Sequence, residues 1–179
     1  MPYKQFVPLP NLNFQFNRVL SSGPEACREE ELWEIAPRLA EFNGLAWHDE
    51  WSKLAVRAET QDRYMHAAYY YRMSEFFLPE RHPGKDISYA NFQGCFYKAV
   101  SKDALEKVKV PYSGGYLPAM RLKAPQEKGV VLLHGGFDSF MEEFYLSTRQ
   151  LVQEGYSVIA FEGPGQGNPL RQGMKMDHQ

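Results

Sequence analysis

Between residues 130 and 161 the chain passes through an apolar tetrad, a glycine pair, a helical stretch and a second apolar run. The tetrad is Val130-Val131-Leu132-Leu133, and the run is Tyr156-Ser157-Val158-Ile159-Ala160-Phe161. A continuous apolar strand has no polar face to offer to water, so Val130–Leu133 is predicted to be buried on both faces. A helical stretch from about Phe140 to Glu154, closed by Gly155, separates the two strands. Strand, helix, strand in this order is a βαβ crossover, which belongs to a parallel sheet. The second part of the chain is therefore of α/β class.

Upstream of that unit the period alternates. Lys107-Val108-Lys109-Val110-Pro111-Tyr112 and Tyr116-Leu117-Pro118-Ala119-Met120-Arg121-Leu122 flank Ser113-Gly114-Gly115. They read as a hairpin, and the prolines place it at a sheet edge. Before about residue 105 the pattern is helical. Ser22, Pro24 and Glu25 open a first helix carrying Leu32, Ile35, Leu39 and Phe42, kinked at Pro37 and ended by Asn43-Gly44. A second helix runs from about Leu45 to Glu59. A third, N-capped by Thr60, continues to about Leu78 with Tyr64, Tyr69, Tyr70, Tyr71, Met73, Phe76 and Phe77 around its circumference. That distribution predicts burial on several sides. Pro79 and His82-Pro83-Gly84 stop it, and a fourth helix runs from about Ser88 to Leu105. Residues 1–20, rich in Pro and Asn, read as an irregular arm held by its aromatics. The predicted organisation is an arm (1–20), an all-helical region (21–105) and an α/β part (106–179), with no internal repeat. From Gly163 onward the sequence is glycine-rich and polar, and the architecture reads as cut after its fourth strand.

Charge and cysteine content narrow the function classes. Lys and Arg total 20 against 22 Asp and Glu, a formal net charge of -2, so nothing points to nucleic acid or an anionic membrane surface. Cys27 and Cys95 build neither a disulfide framework nor a zinc site, and read as buried small hydrophobes. No apolar run approaches the roughly 18 residues of a membrane span. Residues 1–8 lack the apolar core of a secretory signal. The expectation is a soluble, cytoplasmic protein with no cofactor. Glu29-Glu30-Glu31 reads as a solvated first helical turn.

Two glycine motifs carry the chemistry. In His134-Gly135-Gly136-Phe137-Asp138-Ser139, Ser139 and Glu142 suit a capping box, so the helix is predicted to start at about Phe140. The glycine pair permits a tight turn that can aim backbone N–H groups at a developing negative charge. A plain glycine turn is the alternative. The second motif is Phe161-Glu162-Gly163-Pro164-Gly165-Gln166-Gly167. It suggests a phosphate loop, but Asn168 stands where the third glycine of G-x-G-x-x-G belongs, and no helix pattern follows. Nucleotide binding is set aside. Glu162 ends a strand where α/β folds place ligands, so it is a candidate pocket residue; the alternative is a structural hydrogen bond.

Together these elements resemble the third and fourth strands of an α/β-hydrolase, and the hairpin matches that fold's first two. The aromatic-rich helical region is similar to the extra domain of one branch. That branch contains 2,6-dihydropseudooxynicotine hydrolase and the esterases related to the fermentation-respiration switch protein. The resemblance covers roughly residues 25–179, and its specificity rests on residues 128–167. It implies the N-terminal half of a serine hydrolase acting on an ester, amide or activated C–C bond. The fold would be an α/β-hydrolase core with its first four strands only, preceded by an all-helical lid. By resemblance, the N–H of Phe137, or else of Gly136, helps hold the oxyanion. Tyr69 and Tyr70 would line a wall for a small-molecule substrate, with ordinary helix packing as the alternative. The helical region is a candidate homodimer surface. The family's nucleophile sits in G-x-S-x-G after a fifth strand, and its acid and histidine follow later. No such elbow occurs here; neither Ser113-Gly114-Gly115 nor Asp138-Ser139 has the frame, and His134 reads as structural. The chain alone is predicted inactive, its partner being the remaining C-terminal half. The family places its third strand between the fourth and fifth, so Val130–Leu133 would otherwise form a bare apolar edge. Two other readings stay open: a non-enzymatic binding or assembly module whose sheet another chain completes, and a hydrolase with Asp at the elbow.

Overall fold

The computed structural model describes residues 3–101 and 105–176. The chain divides into two compact units, Met1–Ser101 and Lys102–Gln179.

The first unit is helical. Its elements are α1 (Pro10–Ser21), α2 (Glu29–Ile35) running into a 3-10 turn (Ala36–Leu39), α3 (Gly44–Thr60), α4 (Tyr64–Phe76) and α5 (Pro83–Ala99). α4 packs against both α3 and α5. Every residue from Ala67 to Glu75 is buried, as its all-round apolar surface predicts. Phe16, Trp47, Trp51 and Tyr70 form the centre of the core, with Phe16 edge-on to Trp47 at 5.5 Å and Trp51 tilted on Tyr70 at 5.8 Å.

Helix boundaries differ from the sequence reading in several places. The first helix gives way to the 3-10 turn after Ile35, with Asn43 capping α3, and the last ends at Ala99, Leu105 opening a strand instead. Four others have a local reason. Residues 10–21 are helical, not irregular, because Asn13 and Asn17 turn inward. Asn13 Oδ1 accepts from the N–H of Phe6 (2.7 Å) and Val7 (3.2 Å), and Asn17 Nδ2 donates to the Lys4 carbonyl (2.8 Å). These bonds pin the preceding segment along the helix. α2 starts at Glu29, since Gly23 at φ +91° bends the chain after Ser22. Thr60 closes α3, its hydroxyl donating to the Arg57 carbonyl, and α4 begins after Asp62 at φ 57°. Pro83 opens α5 instead of stopping α4; His82 is its N-cap, with Nδ1 accepting from the Gly84 N–H at 3.1 Å. Nor is Glu31 solvated. It is buried and accepts from Arg63 Nη2 (2.7 Å) and the Tyr70 hydroxyl (2.6 Å).

The second unit holds the strands β1 (Leu105–Tyr112), β2 (Gly115–Leu122), β3 (Gly129–His134) and β4 (Tyr156–Phe161) in the order β1-β2-β4-β3. β1 and β2 form the expected antiparallel hairpin, with Leu105 opposite Leu122. β4 is antiparallel to β2 and parallel to β3, the β3–β4 register running from Gly129↔Tyr156 to His134↔Phe161. A 3-10 turn (Met141–Phe144) leads into α6 (Tyr145–Gln153), which packs on β4 and completes the βαβ unit. A short helix, α7 (Gly167–Arg171), follows the glycine loop where the sequence showed no helical pattern. β3 is not buried on both faces. It lies at the sheet edge, and Val130 and Leu132 are 48% and 68% exposed. The other edge, β1, carries Lys107, Lys109 and Pro111, which discourage further pairing. Among the described residues no helix is long and apolar enough to cross a membrane.

Candidate active site

The β3–β4 register sets His134 beside Phe161, so the loops leaving the two strands start side by side. The first loop turns at once. A Cβ on Gly135 would lie 2.7 Å from Ser139 Cβ and 2.9 Å from the Phe144 ring, so only glycine fits. Gly136 is different: a Cβ there would find its nearest neighbour, Asp138 Oδ1, at 3.7 Å. One glycine of the pair is a steric necessity. The Ser139 N–H closes the turn by donating to the Gly136 carbonyl at 3.2 Å. The helix cap sits one residue later than the sequence suggests. Glu143 Oε2, not Glu142, reaches back to accept from the Phe140 N–H at 2.9 Å.

Two buried side chains of the second loop bind the pair together. Glu162 spreads its carboxylate between two helix starts: Oε1 accepts from the Met141 N–H (3.2 Å) and Oε2 from the Asn168 N–H (2.8 Å). Burial outweighs these bonds and raises its pKa above the usual carboxylate range. Gln166 faces the glycine turn. Its Nε2 donates to the carbonyls of Gly135 (2.7 Å) and Gly136 (2.6 Å), and its Oε1 accepts from the Gly163 N–H (2.8 Å). Sequence reasoning passed over Gln166. The available signal was a lone amide inside a glycine-rich loop, a place that offers backbone groups rather than side chains as partners.

The sequence-predicted site residues are distributed over both units. Gly136 and Phe137 lie on the exposed tip of the turn, Phe137 being 65% exposed. Among the described residues, neither N–H donates to a protein acceptor outside the strand ladder. Glu162 lies behind the turn, with both carboxylate oxygens engaged. Tyr69 and Tyr70 are buried in the helical unit. The Tyr70 hydroxyl donates to Glu31 and accepts from the Arg28 N–H at 2.9 Å. Burial, and then the bond to Glu31, push its pKa up, so it remains a phenol. Cys27 and Cys95 are buried thiols, and burial raises the Cys27 pKa to about 12. Among the described residues no group of three or more His, Cys, Asp or Glu could hold a metal ion. A cavity of about 400 Å³ in the second unit is lined by Leu105, Leu122, Lys123, Tyr145 and Arg149. It lies toward the opposite end of the sheet, since Leu122 pairs with Val158 whereas Ala119 pairs with Phe161.

Comparison with known proteins adds relatives but no matching family model. The chain is 32% identical over 195 residues to Hydrolase LUC6 of a Fusarium species, spanning 93% of this chain and 46% of that protein. It is 33% identical over 188 residues to 20-hydroxy-prefusarin hydrolase FUS2 of Gibberella moniliformis, spanning 90% and 45%. Alpha/beta hydrolase psoB of Aspergillus fumigatus is 31% identical over 195 residues, spanning 90% and 43%. Among solved structures, 2,6-dihydroxy-pseudo-oxynicotine hydrolase superposes with a TM-score of 0.70 at 18% identity, over 88% of this chain and 48% of its own. The chain thus spans about half the length of the relatives it matches.

Proposed function

Because the chain belongs to the α/β-hydrolase superfamily, we propose that it supplies the first half of a serine hydrolase. The substrate class is a small molecule with an ester, amide or activated C–C bond. A serine from an elbow after a fifth strand, contributed by a C-terminal half, attacks the substrate carbonyl. As the carbonyl oxygen takes up negative charge, the N–H of Phe137, or that of Gly136, donates to it. Losing one such donor typically lowers kcat about 10²–10³-fold. The acid and base come from the same C-terminal half, and the 179 residues alone carry no turnover. The helical unit acts as lid and substrate wall, Tyr69 lying in the helix that forms it, and is a candidate dimer surface. Tyr70 and Glu162 serve as scaffold, one holding the first turn of α2 and the other the two loops. A cytoplasmic location fits this reading.

The observation that carries the reading is the turn itself: N–H groups with no protein acceptor among the described residues, exposed at the carboxyl end of a parallel strand pair. The sheet edges support it. The β1 edge is guarded by Lys and Pro, whereas the β3 edge offers only Gly129, Val130, Val131, Leu132, Leu133 and His134 for pairing. A sheet that continues past β3 explains the contrast. The test is the intact mass of protein expressed from its full natural reading frame, before and after a fluorophosphonate. One adduct on a product longer than 179 residues, and none on the 179-residue chain, is expected. An adduct on the short chain would refute the division of labour. A longer product without an adduct would leave an aspartate nucleophile, or the assembly-module reading, in its place.

A further inference from the structure

We propose that Gln166 is a positioning residue that sets the direction of the two candidate oxyanion donors, the N–H groups of Gly136 and Phe137. This inference rests on the oxyanion reading above. Its basis is peptide geometry. A trans peptide is planar, so the carbonyl of one residue and the N–H of the next point in opposite directions. The Gly136 N–H shares a peptide unit with the Gly135 carbonyl, and the Phe137 N–H shares one with the Gly136 carbonyl. Gln166 Nε2 donates to both of those carbonyls, at 2.7 and 2.6 Å. One side-chain amide therefore bonds to both peptide planes, sharing the second with the Ser139 N–H, and turns both N–H groups away from the loop that Gln166 belongs to.

Sterics do not fix these planes without it. A Cβ on Gly136 would meet nothing closer than Asp138 Oδ1 at 3.7 Å, an ordinary contact, and glycine imposes little backbone preference of its own. Gln166 is also suited to the task chemically. Both of its amide hydrogens are used on carbonyls, and its oxygen accepts from the Gly163 N–H at 2.8 Å. The reverse amide orientation would set oxygen against two carbonyls and NH₂ against an N–H, so the three partners determine the assignment. Lys could donate to the carbonyls but not accept from Gly163; Glu could accept but, ionised, not donate. Gln166 is 3% exposed, so water does not compete for these bonds. The loop that carries it is anchored on its other side by Glu162, through the Asn168 N–H.

The test uses two substitutions, the isosteric Gln166→Glu and the donor-free Gln166→Met. In the isotope-labelled 179-residue chain, the carbonyl ¹³C signals of Gly135 and Gly136 are read. Both should move in both variants as the Gln166 donor is lost, the Gly136 carbonyl keeping only the Ser139 N–H. In Gln166→Glu, acidification returns one donor hydrogen and should bring a carbonyl signal back, a response that Gln166→Met cannot give. If Gln166→Met loses the dispersed signals of β4, Gln166→Glu is read alone. In the complete hydrolase, either substitution should lower kcat about 10²-fold with KM little changed, the loss expected when a donor is misdirected rather than a binding contact removed. Carbonyl signals that stay in place would overturn the proposal whatever the activity. Moved signals with unchanged kcat would uphold the clamp and refute the oxyanion reading of the turn.

Discussion

Replacing Gly135 with Ala separates the two glycines of the turn. The added methyl would lie 2.7 Å from Ser139 Cβ and 2.9 Å from the Phe144 ring. Carbon atoms in contact sit about 3.5–4.0 Å apart, so the turn or the ring must retreat by roughly 1 Å. Overpacking of this kind costs about 1–3 kcal/mol. The upper part of that range applies, because Ser139 Cβ is tied to the backbone of the same turn and cannot swing aside. A loss of about 2–3 kcal/mol corresponds to a midpoint fall of roughly 10–20 °C for a unit of this size. Gly136→Ala meets nothing closer than 3.7 Å and should stay within about 0.5 kcal/mol of the parent. Hydrogen exchange read by mass spectrometry on peptides covering β3 and β4 measures both. Protection should drop by about 30-fold or more in Gly135→Ala and hardly change in Gly136→Ala. Equal effects, or a neutral Gly135→Ala, would refute the steric account of the turn.

Four further outcomes are expected. Tyr70→Phe should destabilise the helical unit by about 1.5–3 kcal/mol, because it strips a hydrogen bond from a buried carboxylate. Trp33, Trp47 and Trp51 all lie in that unit, so urea unfolding followed by tryptophan fluorescence reports it. Burial alone would raise the Glu31 carboxyl, but bonds from Arg63 and Tyr70 prevail and hold it low. Its stabilisation is present above the ordinary carboxylate value of about 4.3 and lost as pH falls through the lower folded one; Glu31→Gln should flatten that acid limb. Glu162 has the opposite sign. Its raised pKa favours the fold below about pH 4.3, and this advantage fades as pH rises through the folded value. Glu162→Gln should remove that slope from β4 exchange rates while forfeiting one acceptor. Leu132→Lys, on the exposed edge, should reduce self-association of the 179-residue chain in light scattering.

The backbone of the second unit was legible because its signals are local. Alternation marked the hairpin, and an apolar tetrad, a helix and a second apolar run marked the crossover. What escaped depended on partners that sequence spacing does not reveal. Asn13 and Asn17 look like loop residues until the segment of Lys4 to Val7 is laid against them. Glu31 looks solvated until Arg63 and Tyr70 arrive from 32 and 39 residues away. The apolar run of β3 suggested two covered faces, but its exposure is decided by which strand, if any, lies beyond it. In the candidate site, the turn was read from the glycine pair, and its two candidate donors came from the family resemblance. For Glu162 the structural hydrogen bond was read as an alternative but its partners were not, and Gln166 was not read at all, since each depends on backbone groups brought together only by the β3–β4 register. Pro10 and Pro83 were both misread against a rule already in hand: proline in the first turn starts helices as readily as it stops them.

The strand order also has a kinetic consequence. β4 follows β1, β2 and β3 in the sequence, yet it lies between β2 and β3 and is the partner of both. A ribosome delivers the helical unit first, and its helices can form from near neighbours. The hairpin emerges next, then β3, and neither can be joined to the other until residue 161 is free of the exit tunnel. Throughout that interval two apolar strand edges wait for one late arrival. Pairings across such separations form slowly, and the waiting edges are sticky. The chain is therefore most vulnerable to aggregation while it is being made, and slowing translation while residue 161 is still inside the tunnel should harm its yield more than slowing it after residue 161 has emerged.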